Sequence, residues 1–251
     1  MKAAEIVVDG DFAVAQGVGG GLHHAGRDYG GGFCVFNDVA VCAEAMLRRK
    51  GLERIMIFDS DAHAGNGTMD IFYGEPRVLY VSVHQDPRTI YPGTGFVDQI
   101  GEGPGTGYTV NLPLPPGAGD GCMDMVLEGV FKPLAEQFKP QLIIRNGGTD
   151  PHFMDGLASL GLTYGGLMAI GEAVSEASEM AGCGVVDLVC SGYNPRTVAE
   201  GWYALLSGEI GADTELIEDA LKVAEDPKLL QMTETVIGSL VKILGDYWSL
   251  R

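Results

Sequence analysis

Carboxylates and an imidazole alternate at the point where a short apolar run ends. The apolar residues 55–58 are followed directly by the sequence DSDAH, which contains Asp59, Asp61 and His63. Residues two apart in an extended chain point the same way, so these three side chains can face one side of a strand end. A second apolar run, QLII, leads into the sequence RNGGTD, which ends in Asp150. The pattern predicts that acidic side chains follow two buried strands.

Two carboxylates and one histidine form a ligand set that a divalent metal accepts while leaving room for water. Zn²⁺ or Fe²⁺ in such a set lowers the pKa of bound water and polarises a carbonyl group. A single Asp in a loop is more often a helix cap or a turn residue. The clustering of carboxylates at two strand ends is what favours a metal site over that alternative.

Tandem histidines and one tyrosine add groups for proton transfer and charge stabilisation. A glycine run at residues 19–21 precedes His23 and His24, and glycine lets the backbone pass close to a ligand. Histidine transfers protons near neutral pH. Tyr193 follows the apolar residues 185–189, and its hydroxyl could stabilise a developing oxyanion. A surface loop for the histidines and a packing role for the tyrosine are the structural alternatives.

Short apolar runs predict the strands that would position these groups. Each run is short and rich in β-branched residues, as expected for parallel strands that are covered on both faces. They lie at residues 54–58, 78–83, 141–144 and 185–189.

Helical patterns lie between the runs and after the last of them. A helix is predicted over residues 37–50, with Asn37 or Asp38 as its cap and Gly51 as its stop. A second, over residues 120–138, should be kinked or divided by Pro133. Further helices are predicted over residues 163–181, 213–224 and 228–248. Strands that alternate with helices indicate an α/β fold, in which ligands bind beyond the carboxyl ends of the strands.

The composition fits one globular domain that does not bind nucleic acid. The chain has 251 residues, 46% hydrophobic and 20% charged, which suits a single domain over residues 1–251. Its net charge of −18 repels phosphate backbones and attracts cationic substrates such as polyamines or basic tails. The alternative is that this charge only supports solubility.

Cysteine usage and the absence of long apolar runs favour a cytoplasmic protein. The five cysteines form no CxxC pair, and their odd number argues against a disulfide framework. No apolar run approaches the roughly 20 residues of a membrane span. Residues 1–15 lack the basic flank and apolar core of a signal peptide. We therefore expect no membrane contact.

A series of motifs, in order along the chain, resembles the histone deacetylase superfamily, including its acetoin-utilisation and acetylpolyamine amidohydrolase branches. The resemblance extends from about Gly10 to about Trp202 and implies a three-layer arginase/deacetylase-like fold, with a central, mostly parallel sheet flanked by helices. One such motif alone is weak evidence, whereas the ordered series is strong. The motifs are GGLHHA (20–25), GFCVFNDVA (32–40), DSDAHAGNGT (59–68), YPGTG (91–95), NLPLPPGAGD (111–120), GGTDPHFMD (147–155) and SGYN (191–194).

The resemblance implies a metal-dependent deacetylase that acts on acetyl-lysine or on an acetylated small amine or polyamine. A divalent metal, usually zinc in this family and Fe²⁺ as the alternative, would be held by Asp61, His63 and Asp150. Water bound to the metal would attack the acetyl carbonyl. Tyr193 matches the tyrosine that donates a hydrogen bond to the substrate oxygen.

The resemblance also assigns the proton-transfer groups. His23 and His24 would be the paired general base and acid, with Asp59 and Asn66 as their hydrogen-bond partners. Many family members have a carboxylate at the position of Asn66. Because an amide carries no charge, we expect the proton affinity of His24 to differ from theirs.

Further positions match a substrate channel and a monovalent cation site. Gly21, Phe33 and Tyr91 match residues that line a narrow acyl-lysine channel, and Leu157 matches one near its mouth. K⁺ or Na⁺ would lie at the positions that match Asp59, Asp61, His63, Ser82 and Val83, largely through backbone oxygens.

The chain departs from the family pattern in two further ways. Ala64 stands where a second histidine is common, and we expect a small effect because that position does not bind the metal. Family members also carry a segment before the point that matches Met1, which supplies a strand, packing helices and a substrate-binding loop. We therefore expect either a piece of a longer protein or a chain covered by a partner, a second copy of itself or a complementing chain.

Two other functions compete with the deacetylase interpretation. A two-metal hydrolase of the arginase-like fold would need more carboxylates and histidines near one site. An inactive or partner-dependent remnant would bind metal or an acyl-amine without turnover. Metal content measured together with turnover distinguishes these hypotheses.

Overall fold

The computed structural model describes residues 1–216 and 226–250, and the strands in these residues form one parallel sheet. The sheet order is β1-β6-β5-β2-β3-β4, and every pairing is parallel. This confirms the predicted α/β fold. The strands are β1 (Val14–Val18), β2 (Ile55–Asp59), β3 (Val78–Gln85), β4 (Thr109–Leu114), β5 (Leu142–Gly147) and β6 (Gly184–Val189).

Helices cover both faces of this sheet and make three layers. Alternate residues of β2 enter different apolar clusters: Met56 and Phe58 pack with α4 to α8, whereas Ile55 and Ile57 pack with α1 to α3. This alternation is the two-residue period of a strand that is buried on both faces. The helices are α1 (Lys2–Val8), α2 (Asp38–Arg49), α3 (Asn66–Phe72), α4 (Asp120–Val126), α5 (Lys132–Phe138), α6 (Tyr164–Ala181), α7 (Val198–Glu209) and α8 (Pro227–Leu244).

All strands predicted from apolar runs are present, within a few residues of their predicted ends. β1 and β4 were not predicted. β1 is short and contains Gly17, and β4 contains Pro113. Both residues weaken a strand pattern, and both strands lie at sheet edges, where a proline is tolerated.

The predicted cap of α2 and the predicted break at Pro133 are also confirmed. The Asn37 side chain accepts a hydrogen bond from the Ala40 N–H at the start of α2. Pro133 divides the predicted helix over residues 120–138, because a π-helical segment (Leu127–Phe131) separates α4 from α5 just before it. A proline ring clashes with the carbonyl one turn earlier, and the wider turn removes that clash.

Helices α3 and α7 were missed, and one prediction lies largely beyond the described chain. α3 follows directly on the DSDAH sequence and α7 follows the SGYN motif, so both begin inside segments that the sequence marks as loops. The helix predicted over residues 213–224 falls mostly on residues 217–225, outside the described residues. Within the ranges described, no helix has the length and apolar character needed to cross a membrane.

Candidate active site

Two carboxylates and one imidazole converge beyond the neighbouring strands β2 and β5. Asp61, His63 and Asp150 are buried, and one potential ligand atom of each lies within 4.8 Å of the others. The Nδ1 atom of His63 is 3.0 Å from Asp61 Oδ1 and 3.0 Å from Asp150 Oδ2. They meet because β2 and β5 are adjacent and parallel, so their carboxyl ends open at one edge of the sheet. We call these three residues the ligand cluster.

The charges of the ligand cluster fit a divalent cation. Burial and the neighbouring Asp61 carboxylate raise the pKa of Asp150 to about 7. Burial alone would lower the pKa of His63, yet its hydrogen bonds to Asp150 and Asp61 raise it to about 10. Positive charge is therefore stabilised between the two carboxylates. The nitrogen and oxygen donors are ones that Zn²⁺ and Fe²⁺ accept.

His23 and His24 face each other beside the ligand cluster. Their Nε2 atoms are 3.1 Å apart. The Nδ1 atom of His23 lies 2.8 Å from Asp59 Oδ2, and the Nδ1 atom of His24 lies 2.8 Å from Asn66 Oδ1. Burial would lower the pKa of His23, but the carboxylates of Asp59 and Asp61 raise it to about 9. Burial and the charge of His23 lower the pKa of His24 to about 4. At neutral pH the first histidine is therefore a cation and the second a neutral base.

The amino end of α2 holds the loop that carries these histidines. The Asp38 carboxylate accepts hydrogen bonds from the backbone N–H groups of Gly21 at 3.0 Å and Leu22 at 2.8 Å. The Asn37 amide donates to the carbonyl of Ala25 at 2.9 Å while it caps α2. One helix terminus thus fixes both ends of the loop.

Glycine permits two close approaches to the paired histidines. A Cβ on Gly32, whose φ is +50°, would lie 2.1 Å from the His24 ring. A Cβ on Gly65 would lie 2.3 Å from the Asp59 carboxylate. Any larger side chain would displace the histidine or the carboxylate, so both positions require glycine.

Side chains that were not predicted as site residues hold the site's carboxylates. The Tyr80 hydroxyl donates to Asp59 Oδ2 at 3.0 Å, and the Asn146 amide donates to Asp59 Oδ1 at 3.0 Å. The Ser191 hydroxyl donates to Asp150 Oδ1 at 2.7 Å. The signal for the first two was a polar residue within a buried apolar strand, because such a group needs a hydrogen-bond partner.

A pocket leads from the surface to the ligand cluster and the paired histidines. The rings of Phe33 and Tyr193 stand 6.5 Å apart at its wall, and the Tyr91 ring meets His24 edge-on at 4.9 Å. Burial raises the pKa of Tyr193, so its hydroxyl keeps its proton. The pocket is lined by His24, Gly32, Phe33, His63, Ile90, Tyr91, Leu157 and Tyr193. The predicted channel positions 33, 91 and 157 therefore share one pocket, and Ile90 is an additional lining residue.

Gly21 lies behind this pocket and does not line it. The Gly21 N–H donates to the Asp38 carboxylate. A Cβ on Gly21 would come within 2.4 Å of the Asn146 side-chain oxygen. This glycine therefore allows the histidine loop to pack closely against β5.

Two loops are anchored where they carry pocket residues. The Trp202 indole donates to the carbonyl of Ser191 at 3.1 Å, and the Tyr193 N–H donates to Asp155 at 2.8 Å. The buried His84 lies 2.8 Å from the carbonyl of Gly95, in the loop that begins with the tyrosine at position 91. Burial lowers the pKa of His84 to about 4, so this contact is made by a neutral imidazole.

The predicted monovalent cation positions lie where β2 ends beside β3. Asp59 and Ser82 are paired in the register of these two strands. The other three residues, Asp61, His63 and Val83, are buried. The cation itself stays a prediction.

Comparison with known proteins identifies one family. The family described as "Histone deacetylase domain" matches residues 1–208. A protein named "Probable deacetylase" from Archaeoglobus fulgidus is 45% identical over 170 residues, which are 66% of this chain and 46% of that protein. "Histone deacetylase 10, chloroplastic" from Oryza sativa subsp. japonica is 43% identical over 178 residues, 70% of this chain and 40% of that protein. The chain thus spans less than half the length of these two relatives.

A solved structure shares the fold over nearly the whole chain. The structure titled "Crystal Structure of HDA15 HD domain" superimposes with a TM-score of 0.82 at 28% sequence identity. The match covers 98% of this chain and 65% of the other.

Proposed function

Because the chain belongs to the histone deacetylase family, we propose that it hydrolyses the acetyl amide of acetyl-lysine or of an acetylated small amine or polyamine. One observation carries the proposal: a single pocket is lined by His63 of the ligand cluster, by His24 of the paired histidines and by Tyr193. Amide hydrolysis needs an activated water, a proton donor for the leaving amine and a donor for the developing oxyanion.

Asp61, His63 and Asp150 would hold the metal. Their two carboxylates and one imidazole suit zinc, with Fe²⁺ as the alternative. When bound, the metal would polarise the acetyl carbonyl and lower the pKa of water. Ser191 supports this set, because its hydrogen bond orients the Asp150 carboxylate.

The paired histidines would move the proton. His24 is neutral, so its Nε2 atom accepts a proton from the attacking water. The cationic His23, held by Asp59, lies 3.1 Å from that atom, and its positive charge stabilises the negative charge that develops on the acetyl oxygen. The same nitrogen of His24 then delivers the proton to the departing amine. General acid–base help of this kind is typically worth ~10²–10⁴-fold in rate.

Tyr193 would stabilise the oxyanion, and the aromatic walls would select the substrate. The protonated Tyr193 hydroxyl donates a hydrogen bond to the acetyl oxygen. Phe33 and Tyr91 enclose an extended alkyl chain and exclude water from it. The net charge of −18 favours a substrate whose remaining amines are cationic.

Acetate release from a panel of substrates tests the proposal. The zinc-loaded protein is offered acetyl-lysine peptides and acetylated polyamines, and Asp61→Ala, which removes one ligand, is the matched inactive variant. We expect release from at least one substrate class and none with the variant, which should also fail to retain zinc. No release from folded, zinc-loaded protein, or equal release by both proteins, would contradict the proposal.

A further inference from the structure

Asn66 is the neutral partner of His24, and an amide can be oriented in two ways. Turned one way it offers an oxygen to the imidazole, and turned the other way it offers an NH₂ group. A carboxylate at this position would have no such ambiguity, because it only accepts hydrogen bonds. Some other group must therefore decide which face Asn66 presents.

A chain of hydrogen bonds runs from the surface to this amide. The Tyr29 hydroxyl donates to Asp70 Oδ2 at 2.6 Å, and the Asn66 Nδ2 group donates to the Tyr29 oxygen at 3.4 Å. Beyond it, Asn66 Oδ1 lies 2.8 Å from Nδ1 of His24. Tyr29 comes from the loop after the paired histidines and Asp70 from α3, so the chain also links these two segments.

The direction of every bond in this chain follows from Asp70. An ionised carboxylate only accepts, so Tyr29 must donate its single hydrogen to it. The tyrosine oxygen is left to accept, and it accepts from the NH₂ group of Asn66. The amide oxygen then faces His24, whose Nδ1 must donate to it. Nε2 of His24 remains the lone-pair nitrogen that faces His23.

The Tyr29 hydroxyl is suited to hold this direction. Partial burial and the Asp70 carboxylate raise the pKa of Tyr29 to about 12, so the hydroxyl keeps the hydrogen that it donates. The outer end is partly open, since Tyr29 is 42% exposed, whereas His24 is 6% exposed. A surface carboxylate can therefore set the state of a buried imidazole.

We propose that Tyr29 and Asp70 are positioning residues that fix the tautomer of His24 through Asn66. This inference rests on the proposed function for its effect on turnover, because the Nε2 lone pair of His24 is the group that accepts the proton. Its structural part, the tautomer itself, can be measured whether or not the protein hydrolyses anything.

The tautomer is read by two-bond ¹H–¹⁵N correlation spectra of zinc-loaded protein labelled at its five histidines. His24 is assigned from its loss in His24→Gln. The wild-type protein should show hydrogen on Nδ1 of His24. In Tyr29→Phe and in Asp70→Ala, the ratio of the Nε2–H to the Nδ1–H form should rise by about tenfold, because one net hydrogen bond no longer selects the amide orientation.

A double variant tests whether the effect passes through Asn66. In Asn66→Asp the carboxylate only accepts, so His24 should keep hydrogen on Nδ1 whether position 29 is Tyr or Phe. Turnover should follow the spectra. Tyr29→Phe should lower kcat by up to about tenfold with KM unchanged in the Asn66 protein, and should have no effect in the Asn66→Asp protein.

Tyr247→Phe is the matched control. Tyr247 is 46% exposed, close to the value for Tyr29, and its ring lies against Gly107, which precedes the edge strand β4. The control should leave the His24 spectrum and turnover unchanged. Wild-type His24 signals in both Tyr29→Phe and Asp70→Ala would overturn the inference, as would an equal effect of Tyr29→Phe in the Asn66→Asp background. A wild-type protein without turnover would count against the proposed function alone.

Discussion

The carboxylate of Asp59 shows how individual residues support the candidate site. It is completely buried and accepts hydrogen bonds from Tyr80 and Asn146. It also lies 2.8 Å from Nδ1 of His23. Several such bonds compensate the burial of an ionised carboxylate. The Asp59 carboxylate in turn stabilises the positive charge of His23. The proposed proton transfer would therefore depend on side chains that do not line the pocket.

Tyr193→Phe should separate metal binding from turnover. The change removes only the hydroxyl, which faces the pocket and binds none of the ligand cluster. We expect turnover to fall by ~10²–10³-fold, the effect of removing one oxyanion donor. Zinc stoichiometry should be unchanged. Acetate release and metal analysis on the same sample measure both, and an unaltered rate would remove Tyr193 from the mechanism.

Ser191→Ala should weaken metal binding. Without the Ser191 hydroxyl, Asp150 Oδ1 loses the hydrogen bond that this hydroxyl donates. Loss of a residue that hydrogen-bonds a metal ligand typically costs ~10–100-fold in metal affinity. Competition with a zinc-binding dye measures the dissociation constant. Ser178→Ala is the control, since the Ser178 hydroxyl is also buried and donates at 2.7 Å, but to the carbonyl of Cys183 at the end of α6. Equal zinc affinity in both variants and the wild type would contradict the role given to Ser191.

Among the helices, α2 acts on the site through its amino end, which holds the histidine loop. Asn37 both caps the helix and donates to the histidine loop, and Asp38 binds the backbone of the same loop. The loop contains a glycine run, which has no strong conformational preference of its own. Its shape is therefore imposed by the helix against which it packs.

Asn37→Ala should lower both stability and turnover. Loss of an N-cap side chain costs ~1 kcal/mol of stability, and here the histidine loop also loses its anchor. Thr163→Ala is the control. The Thr163 hydroxyl caps α6 by accepting a hydrogen bond from the Gly166 N–H, and Thr163 lies outside the histidine loop. Thermal unfolding and acetate release should show similar stability losses for the two variants but a fall in kcat only for Asn37→Ala. A matching fall in kcat for Thr163→Ala would mean that stability alone explains the effect.

The elements that the sequence predicts well are those with strong local signals. Apolar runs located β2, β3, β5 and β6, and a polar cap located the start of α2, because these patterns act within a few residues. β4 was missed because Pro113 conflicts with a strand unless the strand lies at an edge, which only the sheet order reveals.

The same distinction separates the predicted from the unpredicted site residues. Asp61 and His63 stand out because polar groups follow an apolar run abruptly. Asn146 and Tyr80 are also polar groups in apolar strands, but the sequence does not show their partner, since their contacts with Asp59 depend on which strands are neighbours. Strand neighbours are a long-range property that a local pattern does not contain.

The molecule as a whole is strongly acidic, and some of its ionisable side chains are buried. The chain carries a net charge of −18, yet a compact group of three ionisable residues is buried, Arg145, Asp187 and Glu209. Arg145 of β5 is the register partner of Asp187 of β6 and forms an ion pair with it, and Glu209 lies at the end of α7. Burial and the Asp187 charge raise the pKa of Glu209 to about 8.

Glu209 should make stability depend on pH. Its carboxyl stays protonated in the folded chain up to about pH 8 but ionises near pH 4.5 when unfolded. The unfolded state therefore binds fewer protons within that window, and stability should fall as pH rises from about 4.5 to 8, by up to about 1 kcal/mol per pH unit. Glu209→Gln stays neutral and should remove this part of the slope.

Urea unfolding between pH 5 and 9 measures this effect. Glu136→Gln, at an exposed position on α5, is the matched control and should keep the wild-type slope. If Glu209→Gln also kept it, the buried carboxyl would not be protonated in the folded state.

We propose that a metal held by the ligand cluster is what gives this chain deacetylase activity. The most direct test is acetate release from one responsive substrate, followed while zinc is removed with a chelator and then restored to one equivalent. We predict that release stops with chelation and returns with zinc, in proportion to zinc bound. Release that continues unchanged after zinc is removed, or that never occurs in folded, zinc-loaded protein, would contradict the claim.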